Sequence, residues 1–183
     1  MTRVLPLSLT LASLLALSSC GDDPVAHSET VSIKLSGLKN GDVDNGVYSE
    51  EKNINTESGN PYGEFLKNAR AALGGKDPGA IELTSAFVRV HADSKNVATL
   101  EQVLADVELF VSDSATTLPV GQKDAPTGSS VAIPLDEELD YEPIAATLLG
   151  GDFKVGVRGT AVDPLPSDFE LKLTLDLKFT AYE

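Results

Sequence analysis

From Phe169 to Phe179 the chain alternates without a break. Phe169, Leu171, Leu173, Leu175, Leu177 and Phe179 occupy the odd positions, and Glu170, Lys172, Thr174, Asp176 and Lys178 the even ones. A period of two places every apolar side chain on one face of a β-strand and every polar one on the other, which a helix cannot do. A strand greasy on one face and wet on the other belongs to an antiparallel sheet packed on a core. The run exceeds the usual strand of about 5–6 residues.

Other runs share the period. Val31, Ile33 and Leu35 alternate with Ser32, Lys34 and Ser36. Ile81 and Leu83 open a further strand whose apolar phase then switches to Ala86, Val88 and Val90, which predicts a β-bulge near Ser85. Val107, Leu109 and Val111 make another, and Phe153, Val155 and Val157 another. Val131, Ile133 and Leu135 do the same around Pro134, which predicts an edge strand because proline cannot donate to the ladder.

Short helical signals fall between these runs. Asn60 is placed to cap a helix opened by Pro61. Tyr62, Phe65, Leu66, Ala69, Ala72 and Leu73 follow at helical spacing, and Gly74-Gly75 stops them. Thr99 with Gln102 forms a capping-box pattern before Leu100, Val103 and Leu104. A third short helix is expected over Pro143 to Leu149, ended by Gly150-Gly151. The expected fold is therefore mainly β, an antiparallel β-sandwich of six to eight strands with two or three short connecting helices. A domain of ~160 residues buries roughly 70% of its unfolded surface, so it needs no disulfide.

The amino-terminal twenty residues follow a different logic. Arg3 supplies a positive start, and Val4 to Leu17 is an apolar run interrupted only by Pro6, Ser8, Thr10 and Ser13. It is too short for a membrane span, which needs roughly 20 residues, and has the layout of a secretory signal peptide. It ends in Leu17-Ser18-Ser19-Cys20, and Cys20 is the chain's only cysteine. An apolar residue, two small residues and then Cys resembles the lipobox of bacterial lipoprotein precursors, position by position. The resemblance covers about a ninth of the chain. It implies that residues 1–19 are removed by a dedicated signal peptidase that recognises Leu17, Ser18 and Ser19. It also implies that the Cys20 thiol carries a diacylglyceryl group and that its new amino terminus is acylated. Gly21, rather than Asp, after the cysteine favours the outer over the inner membrane. Residues 20–30 are polar and aperiodic, and read as a lipidated flexible tether for a β-sandwich domain over 31–183.

The charge balance, 14 Lys+Arg against 28 Asp+Glu for a net −14, argues against nucleic acid as a partner, since phosphate contacts need a basic surface. Loss of Arg3 with the leader makes the mature chain 13 − 28 = −15. Candidate chemistry is sparse. In Asn40-Gly41-Asp42-Val43-Asp44-Asn45-Gly46, alternate Asp42 and Asp44 are a weak candidate for Ca²⁺. With Gly46 as the turn glycine, the EF-hand's end positions hold Gly41 and Lys52, so the loop reads better as a tight turn at Asn45-Gly46. Asp136, Glu137, Glu138, Asp140 and Glu142 read as a solvated acidic segment. His27 and His91 have no second His or Cys beside them for zinc, and no Gly-x-Ser-x-Gly elbow accompanies His91.

The expected function is a membrane-anchored, non-catalytic β-sandwich that acts in binding, cell-surface interaction or envelope structure. No cofactor is expected beyond the lipid on Cys20. The partners expected are the membrane itself and a protein or cationic envelope component. The alternatives are a carrier of an apolar ligand between the sheets, lined by the Phe169–Phe179 face, and a small hydrolase. Self-assembly through an edge strand near Pro134 is a further option.

Overall fold

A computed structural model describes residues 25–57 and 59–183. Eight strands form two four-stranded sheets, antiparallel throughout: β1 (Ala26–Lys34), β2 (Val47–Ile54), β3 (Ala80–Val90), β4 (Asp106–Ser112), β5 (Thr117–Asp124), β6 (Ser130–Ile133), β7 (Phe153–Thr160) and β8 (Leu173–Tyr182). The first sheet has the order β1-β8-β3-β6 and the second β2-β7-β4-β5. Helices α1 (Pro61–Ala72) and α2 (Glu142–Gly150) complete the described part, with 3-10 turns at Asn40–Asp42 and Leu100–Gln102. This is the expected antiparallel sandwich.

The long alternation forms the centre of the core. Leu171, Leu173, Leu175, Leu177 and Phe179 are each 0% exposed. Regular pairing stops at Leu173, and Leu171 adds only a single bridge to Leu38. β8 lies between β1 and β3, so its outward face is also partly covered. Thr180 there is buried, with its hydroxyl 2.8 Å from that of Ser28 and 3.2 Å from that of Thr84. The phase switch in β3 is a bulge, with the register shifting between Leu83 and Ser85.

β6 is an edge strand, as Pro134 requires. The chain then crosses to the other sheet: Leu135 bridges Gly121, and Asp136 N–H donates to Val120 O at 3.1 Å. A Cβ on Gly121 would lie 2.3 Å from Pro134 O, so this seam between the sheets needs glycine.

β1 begins at Ala26, so residues 26–30 belong to the sandwich and not to the tether expected over 20–30. Ala26 to Thr30 pair in register with Tyr182 to Lys178. The side chains here are polar and at most half-buried, and alternate ones meet α1 at the rim of the sandwich. His27 stacks on Phe65 at 6.2 Å, and Asn68 Nδ2 donates to Glu29 Oε2 at 3.0 Å. Periodicity of hydrophobicity does not report such a strand. β2 and β5, also edge strands, escape it for a related reason: within them only Tyr48, Ile54 and Val120 are buried.

α1 starts and stops as its sequence dictates. Asn60 Oδ1 accepts Tyr62 N–H at 3.0 Å, and Gly75 N–H closes the last turn on Arg70 O at 2.8 Å. The capping box at Thr99 forms, with Gln102 Oε1 accepting the N–H groups of Ala98 and Thr99. The helix expected there is a single 3-10 turn, because Val103 O and Ala105 N–H bond to Val162 N–H and Thr160 O and draw the chain into the second sheet.

The strand directions give the sandwich two ends. β1 begins, and β8 ends, beside the start of β3: Gly79 N–H donates to Tyr182 O at 2.8 Å. The helices gather at this end, which we call the helix pole. Tyr62 of α1 packs edge-on against Phe153 of β7 at 4.9 Å and Phe179 of β8 at 5.0 Å, and its hydroxyl donates to Leu148 O of α2 at 2.9 Å. The opposite end, the loop pole, holds the segments 35–46, 91–105 and 161–172, tied together by bridges Leu38–Leu171, Lys95–Glu170 and Leu104–Ala161.

Candidate functional site

Leu17, Ser18, Ser19 and Cys20, the residues of the expected lipobox, lie outside the described residues. The first described residue, Val25, is five positions beyond Cys20. Its carbonyl accepts Glu183 N–H at 3.2 Å, which fixes where the chain enters the sandwich: at the helix pole, on the β1 edge.

Asp42 and Asp44 sit at the loop pole, and each has a local task. Asp42 Oδ2 accepts Lys39 N–H at 2.8 Å, and Asp44 Oδ1 accepts Asn45 Nδ2–H at 3.0 Å. Asn45 and Gly46 take φ of 51° and 79°, between reciprocal backbone bonds of Asp44 and Val47 at 2.8 and 2.9 Å. That is the two-residue turn their sequence favours. Among the described residues no group of three or more His, Cys, Asp or Glu is arranged to hold a metal ion.

The other acids are similarly employed. Asp136 Oδ1 accepts Glu138 N–H at 3.0 Å, and Asp140 Oδ1 accepts the N–H of Glu142, the first residue of α2, at 2.9 Å. The segment packs inward through Leu139 and Tyr141. The Tyr141 hydroxyl donates to Leu83 O at 3.0 Å, and burial pushes its pKa up to about 12. His27 and His91 lie at opposite poles. His91 Nδ1 accepts Asp93 N–H at 3.1 Å, which leaves the proton of a neutral ring on Nε2.

The inward row of β8 lies in the hydrophobic core and lines none of the surface clefts described below. A carrier would need that row to face a void, and it faces packed side chains. The clefts are open surface features. One of about 370 Å³ separates α1 from α2, with Leu66 and Leu149 on its walls and the Arg70–Asp77 ion pair at its rim. A polar groove of about 770 Å³ follows β2 past Lys52, Asn55 and Asn60. It shares Asn53, Asn55 and Lys154 with a second groove, of about 700 Å³, beside Asp113 and Thr147. In the sequence only Asn60 stood out in this region, as the cap of the helix opened by Pro61.

Asp113 is the most elaborately held carboxylate there. It accepts the N–H groups of Ala115 at 2.8 Å and Thr116 at 2.7 Å, and the Thr147 hydroxyl at 3.0 Å. These bonds, led by the one from Ala115, keep it below the usual carboxylate range. A carboxylate so satisfied is a weak base, and its evident work is to hold the turn between β4 and β5 against α2.

No family model matches the chain, and no curated protein matches it. Among solved structures, a chain of turnip yellow mosaic virus is similar over 88% of this chain and 95% of its own, with 12% identity and a TM-score of 0.31. So loose a likeness carries no argument about function.

Proposed function

We propose that this chain is the precursor of a bacterial lipoprotein. Its mature form is held at the cell envelope by lipid on Cys20 and presents a non-catalytic β-sandwich for binding, surface interaction or envelope structure. The observation that carries the reading is Leu17-Ser18-Ser19-Cys20 at the end of an apolar leader, with the sole cysteine of the chain at the position the modification requires. The start of β1 at Ala26 supports it, because a folded domain follows the cysteine after only five residues. The energetics suit a permanent tether. One acyl chain binds marginally at about 0.8 kcal/mol per CH₂, whereas two or three make release negligible. No described helix is long and apolar enough to cross a membrane.

The decisive test is Cys20→Ser in cells fed labelled palmitate. The variant is expected to take up no label and to accumulate with its leader uncut, while the wild type is labelled and processed. Label in the variant, or wild type in the cytosol with a free thiol, refutes the assignment.

A further inference from the structure

We infer that the helix pole, and within it the corner where α1 overlies β1, is the surface this protein lays against phospholipid headgroups. The inference rests on the anchoring proposed above and adds an orientation to it.

The length of chain beyond the sandwich sets the distance. Gly21 to Val25 are the only residues between Cys20 and β1. From Cys20 to Ala26 the chain takes six residue steps, at most about 22 Å when fully extended. A lipid on Cys20 therefore holds the start of β1 within that distance of the membrane surface. The direction of β1 does the rest. Its nine residues lead away from that point, and at about 3.4 Å per residue they carry the chain about 30 Å to the loop pole. Asp42, Asp44 and His91 then stand on the side remote from the bilayer.

The lateral order of the sheet refines the orientation. β1 is one edge and β6 the other, three strands away, or about 14 Å at the usual spacing. α1 belongs to the β1 side and brings Lys67, Arg70 and, just past its end, Lys76, all exposed. The segment after β6 brings Asp136, Glu137, Glu138, Asp140 and Glu142 and no Lys or Arg. A phosphate-bearing surface repels the second group and finds the first close to neutral, so the domain tips about its tether toward α1. The bias is modest, since the three cations are paired with Glu64, Asp77 and Glu183. The short tether is the larger constraint, and charge selects among the tilts it permits.

The test uses the full chain, lipidated in cells, with Cys20 blocked by its thioether. Exposed positions are changed singly: Ala72→Cys at the end of α1, Glu137→Cys in the acidic segment and Asn40→Cys at the loop pole. Each variant is labelled with a maleimide fluorophore and placed in vesicles of phosphatidylcholine and phosphatidylglycerol that carry a headgroup-attached quencher. Quenching is expected to be strongest at 72, weaker at 137 and several-fold weaker at 40. Equal quenching at all three, or the reverse order, overturns the orientation. Mass spectrometry of the same samples separates the two levels. Acylated protein with the wrong order defeats the orientation alone. Protein that is not acylated and does not sediment with the vesicles defeats the anchoring and the orientation together.

Discussion

Asp176 sits on the outward face of β8 and ties three strands together. It accepts the Ser32 hydroxyl of β1 at 2.6 Å, and from β3 the Arg89 guanidinium, through Nη2 at 3.1 Å and through Nε. Arg89, with Ser32 behind it, holds the Asp176 carboxyl below the usual range, and the same pair raises Arg89. A carboxyl of depressed pKa stabilises the fold above its unfolded value, near 3.9, and that contribution is lost as pH falls through the lower folded value. Asp176→Asn is therefore expected to cost about 1–2 kcal/mol at neutral pH, toward the low end because Arg89 is partly exposed. It should also flatten the acid limb of the stability curve below about pH 4. Urea melts from pH 2 to 7 check both, and an unchanged acid limb would show that the pair is energetically idle. The alternation in the sequence assigned Asp176 to the wet face correctly. It assigned Thr174 there too, and Thr174 is buried. One strand's pattern does not say that a neighbour lies on each side of it, and only pairing reveals that.

At the scale of elements, legibility followed hydrophobic contrast. β3, β4, β7 and β8 carry inward rows of large apolar residues, and the bulge at Ser85 was visible because the phase of such a row changes. The cap of α1 was visible because capping is local chemistry. β2, β5 and the first half of β1 were not, because an edge strand under a helix or beside a groove has little apolar contrast to show. The seam between β5 and β6 was hidden for another reason: a glycine's necessity comes from what approaches it. Gly121 meets Pro134 O and the Ile133 side chain, so any Cβ there must push the backbone of β6 away. Gly121→Ala is expected to destabilise by about 1–3 kcal/mol, the range of an overpacked site. Amide exchange should locate the damage, with faster exchange at Asp136, whose N–H bonds to Val120 O, and little change in β1. Uniform exchange across both sheets would mean that the seam is not a separate element.

Over the whole molecule, one core joins both sheets and both helices, and its composition was far easier to read than its purpose. The proposed lipobox could be read because four adjacent residues, Leu17-Ser18-Ser19-Cys20, carry the resemblance. A surface groove such as the one that joins Asn53, Asn60 and Lys154 is assembled from segments distant in sequence, and no local pattern announces it. The core itself makes the sharpest demand on the fold. Leu173 is 0% exposed at the start of β8, paired to Val90 on one side, with Leu35 N–H bonded to its carbonyl at 3.0 Å on the other. Leu173→Asp removes a buried leucine, about 2–5 kcal/mol, and adds an unpaired carboxylate where no cation waits, several kcal/mol more. The sum rivals the 5–15 kcal/mol that typically holds a domain together. The variant is thus expected to lose its cooperative melt by circular dichroism and its amide dispersion by NMR. Leu173→Met, close in volume, should cost under about 1.5 kcal/mol and keep both. Wild-type stability in the aspartate variant would require the face of β8 to be open to water, and with it a different account of what joins the two sheets.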